Sequence, residues 1–293
     1  MPELPEVETV RRGLEPFLAG ARIEAVSLYR ENLRFPFPQG FAAALENRRI
    51  ETLTRRAKYL LFTLSDGAVW MTHLGMTGAY IIKDHPLDEP SRRNAGDTSG
   101  RHVHFSASLS HPLHGALTLS YADPRRFGFM GLYPPGTANP FLDPLGPEPL
   151  GNALNPAMLA SAFKNRKGPV KTLLLDQTLV AGLGNIYVCE ALHRAGILPA
   201  RSGASLVDPD GAPRPELLAL VPAIRNVLEE ALAAGGSTLR DFRNSDGTPG
   251  YFQHSFAVYG REGSPCPKPG CGGTVVRLAQ AGRSSFYCTS CQH

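Results

Sequence analysis

The chain has 293 residues, with 30 basic against 26 acidic side chains for a net charge of +4, and 42% hydrophobic against 19% charged residues. That composition excludes a disordered tail, and the lack of any run of about 18 apolar residues excludes a spanning helix. The length reaches the roughly 250–300 residues at which single cores stop growing, so more than one domain is expected. The opening Met1-Pro2-Glu3-Leu4-Pro5-Glu6 is acidic where a secretory signal is basic. A cytoplasmic protein with no membrane partner is therefore expected.

In chain order, Val7, Val10, Leu14, Phe17 and Leu18 recur at helical spacing and end near Gly20, which predicts one amphipathic helix. From about Arg22 to Tyr133 the texture is short β-rich runs. Tyr59 to Leu64, the turn Ser65-Asp66-Gly67 and Ala68 to Thr72 are an example, and they predict an antiparallel sandwich. Residues 134–156 hold seven prolines, from Pro134 to Pro156, with several glycines. Such a composition interrupts regular hydrogen bonding and predicts a linker. Helical spacing returns over Met158–Phe163, Val170–Gln177, Asn185–Ala195 and Pro215–Ala234, with Pro222 expected to kink or delay the last. The expected fold is α+β: an N-terminal helix plus antiparallel β-sandwich (1–133), a Pro/Gly-rich linker (134–156), a mainly helical second domain (157–250) and a metal-stapled C-terminal hairpin (251–293).

Four of the five cysteines lie in that last segment. Cys266 and Cys271 enclose four residues, Cys288 and Cys291 enclose two, and sixteen separate the pairs. Two thiolate knuckles at this distance predict a tetrahedral Zn²⁺ site, and four sulfurs leave no open position, so the metal is structural. Arg277, Gln280, Arg283, Ser284 and Ser285 lie between the pairs, with Phe286 and Tyr287. A basic hairpin of this kind suits phosphate contacts, although arginines also serve simply to solubilise a small module.

Elsewhere each chemical reading has a plainer competitor. If the initiator Met is removed, Pro2 presents a secondary amine of low pKa that can attack a sugar C1′ and form an iminium ion, with Glu3 and Glu6 beside it. Proline and acidic residues are equally ordinary at a helix start. Lys58, after Arg55 and Arg56, is either an amine held at a sheet edge or a solvated edge lysine. Asp123-Pro124-Arg125-Arg126-Phe127-Gly128 joins a turn to two arginines and an aromatic, a combination that suits phosphate attraction and a wedge between bases. Met76, flanked by Gly75 and Gly78, is a loop wedge or a core methionine. His102 and His104 share a strand face without an evident third ligand, so no metal is expected there. Lys164, Arg166, Lys167 and Lys171 form a basic cluster, and Gly182-Leu183-Gly184-Asn185 opens a helix whose amides can approach a phosphate.

Together, Met1 to Thr9, Arg56-Ala57-Lys58-Tyr59-Leu60, His73-Leu74-Gly75-Met76, Asp123 to Gly128, Gly182 to Tyr187, Ser245-Asp246-Gly247 with Pro249 to Phe252, and Gly282 to Cys288 resemble bacterial formamidopyrimidine-DNA glycosylases. The resemblance is colinear over both domains and the cysteine module. It implies a bifunctional DNA glycosylase and abasic-site lyase that acts on double-stranded DNA; the sequence shows no obvious oligomer interface, so a monomer is the default expectation. The implied lesions are oxidised purines and abasic sites.

By the same resemblance Pro2 is the nucleophile, Glu3 the acid assisting sugar opening and Glu6 a supporting carboxylate. Lys58 serves β-elimination and Arg283 δ-elimination, both with phosphate contacts. His102, Arg125, Arg166 and Asn185 match DNA-contacting positions. Met76, Arg125 and Phe127 fill the space of an extruded nucleotide, which must leave the duplex to expose its C1′. Residues 157–250 become a DNA-binding domain carrying a lesion loop, and 251–293 a zinc finger holding one structural Zn²⁺. Two departures stand out: the first cysteine pair encloses four residues where two are commonest, and Arg240 stands where lysine is expected. The competing readings are an endonuclease VIII-like enzyme for oxidised pyrimidines and a non-catalytic zinc-containing DNA-binding protein.

Overall fold

The computed structural model describes residues 1–83, 101–237 and 250–293. Arg240 and the Ser245-to-Pro249 motif lie outside the described residues. Contacts divide the chain into two compact units, one of Met1–Asp143 with Ala234–Tyr251, the other of Pro144–Ala233 with Phe252–His293. The division differs from the expected boundaries in two ways. Residues 234–251 return to the first unit, and the cysteine module belongs to the helical unit instead of standing alone. Both differences have the same cause, a tertiary anchor described below: Glu6 for the first, Glu190 for the second.

The first unit starts with α1 (Leu4–Leu18), whose Leu4, Val7, Val10, Leu14 and Leu18 are all buried on the face that periodicity selects. Its strands are β1 (Arg22–Leu28), β2 (Ile50–Arg56), β3 (Tyr59–Leu64), β4 (Val69–His73), β5 (Ala79–Lys83), β6 (Val103–His111), β7 (Gly115–Ala122) and β8 (Phe129–Tyr133), with a short helix α2 (Phe41–Leu45) after β1. They pair antiparallel in two four-stranded sheets ordered β1-β6-β7-β5 and β2-β3-β4-β8. In β3, Leu60, Phe62 and Leu64 alternate inwards, as a half-buried strand requires. Trp70 stacks on Phe62 at 4.2 Å and meets Phe105 of the other sheet at 5.2 Å. One core therefore joins both sheets and α1, which is the sandwich that the alternation predicted.

The second unit holds α3 (Pro156–Phe163), α4 (Val170–Leu175), α5 (Asn185–Arg194), α6 (Pro215–Ala233) and the hairpin β9 (Val275–Gln280) and β10 (Arg283–Cys288). Helix α6 begins at Pro215 and runs on through Pro222, which neither delays nor interrupts it. Seven buried apolar side chains from Leu217 to Leu228 hold the turns on either side of the proline against the core, and that burial outweighs one missing backbone donor. Helix α5 is buried from Ile186 to His193. Its Glu190, fully buried, accepts the N–H groups of Ala257 at 2.9 Å, Val258 at 3.0 Å and Tyr259 at 2.8 Å. A buried carboxylate needs such donors, and these three fasten the chain entering the cysteine module to α5. Among the described residues no helix is long and apolar enough to cross a membrane.

Candidate active site and nucleic-acid interface

Pro2 and Glu3 are buried at the start of α1, while Met1 is 49% exposed. Glu3 is the N-cap in extended backbone, and its N–H donates to Glu6 Oε2 at 2.9 Å. The other oxygen of Glu6 accepts from the Ser237 backbone N–H at 2.8 Å and its hydroxyl at 3.0 Å. Gly236, at φ +80°, brings its backbone so close that an added Cβ would lie 3.2 Å from Glu6 Cγ. Glu6 thus does more than sit near a helix dipole. It bolts the N-terminal three residues to a segment more than two hundred positions away, which spacing alone does not reveal.

Lys58 occupies the two-residue turn between β2 and β3, after Ala57 in the left-handed region at φ +51°. Arg55 steadies this turn: its guanidinium donates to the Ala57 carbonyl at 2.9 Å and to Glu8 Oε2 at 3.2 Å. Burial pushes the Glu8 carboxyl up, but hydrogen bonds from Arg11 and Arg12 and the charges of Arg11 and Arg55 outweigh it, leaving Glu8 below its ordinary value. Lys58 is only 7% exposed, so the solvated-edge reading fails. Its charge is felt at His73, whose pKa falls to about 4 through burial first, then through Lys58 and Arg34. His73 is therefore neutral at pH 7. Its Nδ1 accepts the Gly75 N–H at 3.0 Å, leaving Nε2 as the protonated nitrogen.

Met76 and the Arg125–Phe127 segment come together in two adjoining loops. Gly75 sits where an added Cβ would meet Gly128 N at 2.3 Å, a backbone approach only glycine allows. Met76 is half-buried, Arg125 exposed and Phe127 44% exposed, with the Arg125 guanidinium 4.8 Å from the Phe127 ring centroid. A large exposed aromatic under a cation is a contact surface, not core packing. Asp123, fully buried, accepts the Gly128 N–H at 2.8 Å and the Thr77 hydroxyl. The partly exposed His102 lies beside the same loop, where its carbonyl accepts the Asp123 N–H at 3.0 Å. The register shift between Val103 and Phe105 accompanies a buried His104, whose Nε2 lies 3.0 Å from the Asp123 carbonyl.

In the second unit Ala281 and Gly282, at φ +49° and +73°, make the tight β9–β10 turn, and Arg283 is the exposed residue that follows. Asn185 opens α5 and donates to the Ser284 carbonyl at 2.9 Å, placing it beside the same hairpin. Arg166 is exposed on the loop after α3 with Lys164 and Lys167. Lys171 does not share that surface: it is 1% exposed and donates to Ser285 Oγ at 2.7 Å and to the Ser284 carbonyl at 3.0 Å. Its cation is structural, and it fixes the strand that carries Arg283. Closeness in sequence grouped Lys171 with Lys164, Arg166 and Lys167, but its partners Ser284 and Ser285 lie more than a hundred positions away.

The four cysteine sulfurs lie within 4.8 Å of one another, with Cys266–Cys291 at 3.9 Å and Cys271–Cys288 at 3.5 Å. Tetrahedral Zn–S bonds of about 2.3 Å require sulfurs about 3.8 Å apart, so the set fits one Zn²⁺ and the longer first knuckle is accommodated. His193 Nε2 stands 3.3 Å from Cys266 Sγ, in position to hydrogen-bond a ligand sulfur.

Family profiles match all three parts of the chain: the formamidopyrimidine-DNA glycosylase N-terminal domain over residues 1–130, its H2TH domain over 145–243, and the zinc finger found in Fpg and IleRS over 263–293. The chain belongs to the formamidopyrimidine-DNA glycosylase family. The protein of that name from Beijerinckia indica is 52% identical over 297 residues, with each chain fully covered. The MutM (Fpg) crystal structure from Thermus thermophilus superposes with TM-score 0.81 at 41% identity, covering 99% of this chain and 98% of the other. Lactococcus lactis Fpg, solved with abasic-site DNA and as a mutant with Fapy-dG DNA, gives TM-score 0.83 at 32% identity over the whole of both chains. The protein is thus a DNA-repair glycosylase with a zinc finger, and the non-catalytic reading is set aside.

Proposed function

We propose that this enzyme excises oxidised purines, 8-oxoguanine and formamidopyrimidines, from double-stranded DNA and then cleaves the strand at the abasic site by β,δ-elimination. The observation that carries the reading is the Pro2-Glu3 start, buried and bolted in place by Glu6, in a chain of this family. Once Met1 is removed, the Pro2 nitrogen attacks C1′ while Glu3 protonates the opening sugar ring. The glycosidic bond breaks, the damaged base leaves, and an iminium ion joins Pro2 to C1′. Loss of a C2′ proton expels the 3′ phosphate, a second elimination expels the 5′ phosphate, and water releases Pro2.

Lys58, desolvated at its turn, serves the first elimination as proton donor and phosphate contact. Arg283, exposed at the hairpin, serves the second and holds phosphate. His102, Arg166 and Asn185 position the DNA backbone. Met76, Arg125 and Phe127 enter the duplex where the nucleotide has been extruded, and Arg125 hydrogen-bonds the orphaned cytosine. The four cysteines hold a zinc whose contribution is structural, and it keeps the Arg283 hairpin in shape. We further assign the enzyme as a cytoplasmic monomer.

The substrate assignment is tested by comparing excision of 8-oxoguanine opposite cytosine with excision of thymine glycol. Faster removal of 8-oxoguanine is expected, and preference for thymine glycol would transfer the protein to the oxidised-pyrimidine reading. Glu3→Gln should abolish incision of the damaged duplex while binding is retained; incision at the wild-type rate would remove Glu3 from the chemistry.

A further inference from the structure

The two loops that carry Met76 and Arg125–Phe127 are joined through one side chain that the mechanism above does not use. Thr77 follows Met76, and its hydroxyl donates to Asp123 Oδ1 while accepting the Arg125 backbone N–H at 3.2 Å. A hydroxyl has one donor and two acceptor sites, so both contacts are satisfied together. Asp123 in turn uses its second oxygen on the Gly128 N–H at 2.8 Å, on the far side of Phe127. Its carbonyl accepts the Arg126 N–H at 3.1 Å, which closes the turn in which Arg126 takes φ +56°. The link therefore runs from the Met76 loop through Thr77 and Asp123 to both flanks of the exposed Arg125–Phe127 pair.

Packing reinforces it. Gly75 and Gly128 press backbone against backbone, and Gly78 and Gly128 each leave room for the Tyr121 hydroxyl, which an added Cβ would approach to 2.1 and 2.0 Å. We infer that Thr77 is a positioning residue that locks the Met76 loop and the Arg125–Phe127 loop into one rigid wedge, so that three side chains enter the duplex as a unit. The lock is charge-assisted at a buried carboxylate, where a hydrogen bond holds geometry more firmly than at a wet surface. A wedge already ordered before DNA arrives loses less conformational entropy on insertion, which favours capture of an intact, stacked lesion. An abasic site has no base to extrude, so its cleavage gains little from the lock.

This inference rests on the wedge reading given above, and the test separates the two. Single-turnover rates are measured on duplexes carrying 8-oxoguanine opposite cytosine and on the same duplex with a preformed abasic site, for wild type, Thr77→Val, Thr77→Ser and Phe127→Ala. Thr77→Val keeps the shape and removes the hydroxyl; it should slow excision of the intact lesion roughly fivefold, the scale of one lost hydrogen bond. Abasic-site cleavage should stay unchanged, and Thr77→Ser should restore excision. Should Thr77→Val fold poorly, Thr77→Ala, which likewise lacks the hydroxyl, is expected to give the same selective loss. Equal slowing on both substrates, or no slowing where Phe127→Ala does slow excision, would overturn the lock. If Phe127→Ala leaves both rates unchanged, the wedge reading itself falls and the lock with it.

Discussion

The N-terminal site and the cysteine hairpin achieve rigidity by opposite means. The hairpin is local: Cys266 to Cys291 close one metal site over a short stretch of chain, and a two-residue turn presents Arg283. The Pro2-Glu3 site is non-local. Glu6 reaches Ser237, and Arg55 joins the Lys58 turn to Glu8 of α1. Each link is a carboxylate or guanidinium bonded to a group far away in sequence. The first design can be read from spacing and undone by one chelator, whereas the second is visible only in three dimensions and is dismantled one hydrogen bond at a time.

The largest effect is expected on the local side. Stripping the zinc, or replacing Cys288 by Ser, should unfold the hairpin, because the metal's binding energy of about 10–16 kcal/mol is folding energy for such a module. Hydrogen exchange across residues 263–293 should rise to the unprotected rate and lesion-duplex affinity should fall. Unchanged exchange after verified metal loss would show that Lys171 and Glu190 hold the hairpin without zinc.

On the non-local side a smaller, graded loss is expected. Glu6→Gln keeps one acceptor oxygen but points an amide donor at either the Glu3 or the Ser237 N–H, at a cost of about 1–3 kcal/mol for the unsatisfied buried group. Thermal unfolding should register that loss and incision should weaken with it. A variant as stable and active as wild type would mean that Glu6 is not the bolt.

The smallest effect concerns His73. Its pKa in the folded protein, about 4, lies below the ordinary 6.5, so the unfolded chain binds more protons between these values. The stabilisation from its neutral form is complete above about pH 6.5 and is lost as the pH falls toward 4. Comparing melting temperatures of wild type and His73→Gln across that window should show wild type losing more on acidification. Parallel pH profiles would contradict the burial of His73 beside the Lys58 charge.

The same contrast explains what could be read in advance. Helix α1, the alternating strands, the zinc ligands and the exposed Phe127 follow from periodicity, spacing and residue type, which are local signals. Lys58 could be read either way until its burial at the Ala57 turn was seen. Lys171 looked like surface charge because nothing in its neighbourhood announces Ser285, and Pro222 was expected to kink or delay α6 because the burial of Leu217 to Leu228 around it is a tertiary effect. Ser237, Glu190 and Thr77 carried no sequence signal stronger than that of any other polar residue, since their roles lie wholly in tertiary partners. The return of residues 234–251 to the first unit is the same lesson at the scale of a domain.

The central claim is that Pro2, freed of Met1 and held by Glu6, attacks the damaged nucleotide. Its most direct test is borohydride reduction of the enzyme on a duplex carrying 8-oxoguanine opposite cytosine, with mass spectrometry of the linked peptide. The account predicts a covalent DNA adduct on the Pro2 nitrogen of a chain that begins at Pro2. An adduct on Lys58 instead, or none on this duplex or an abasic control when the N-terminus is verified as Pro2, would contradict it.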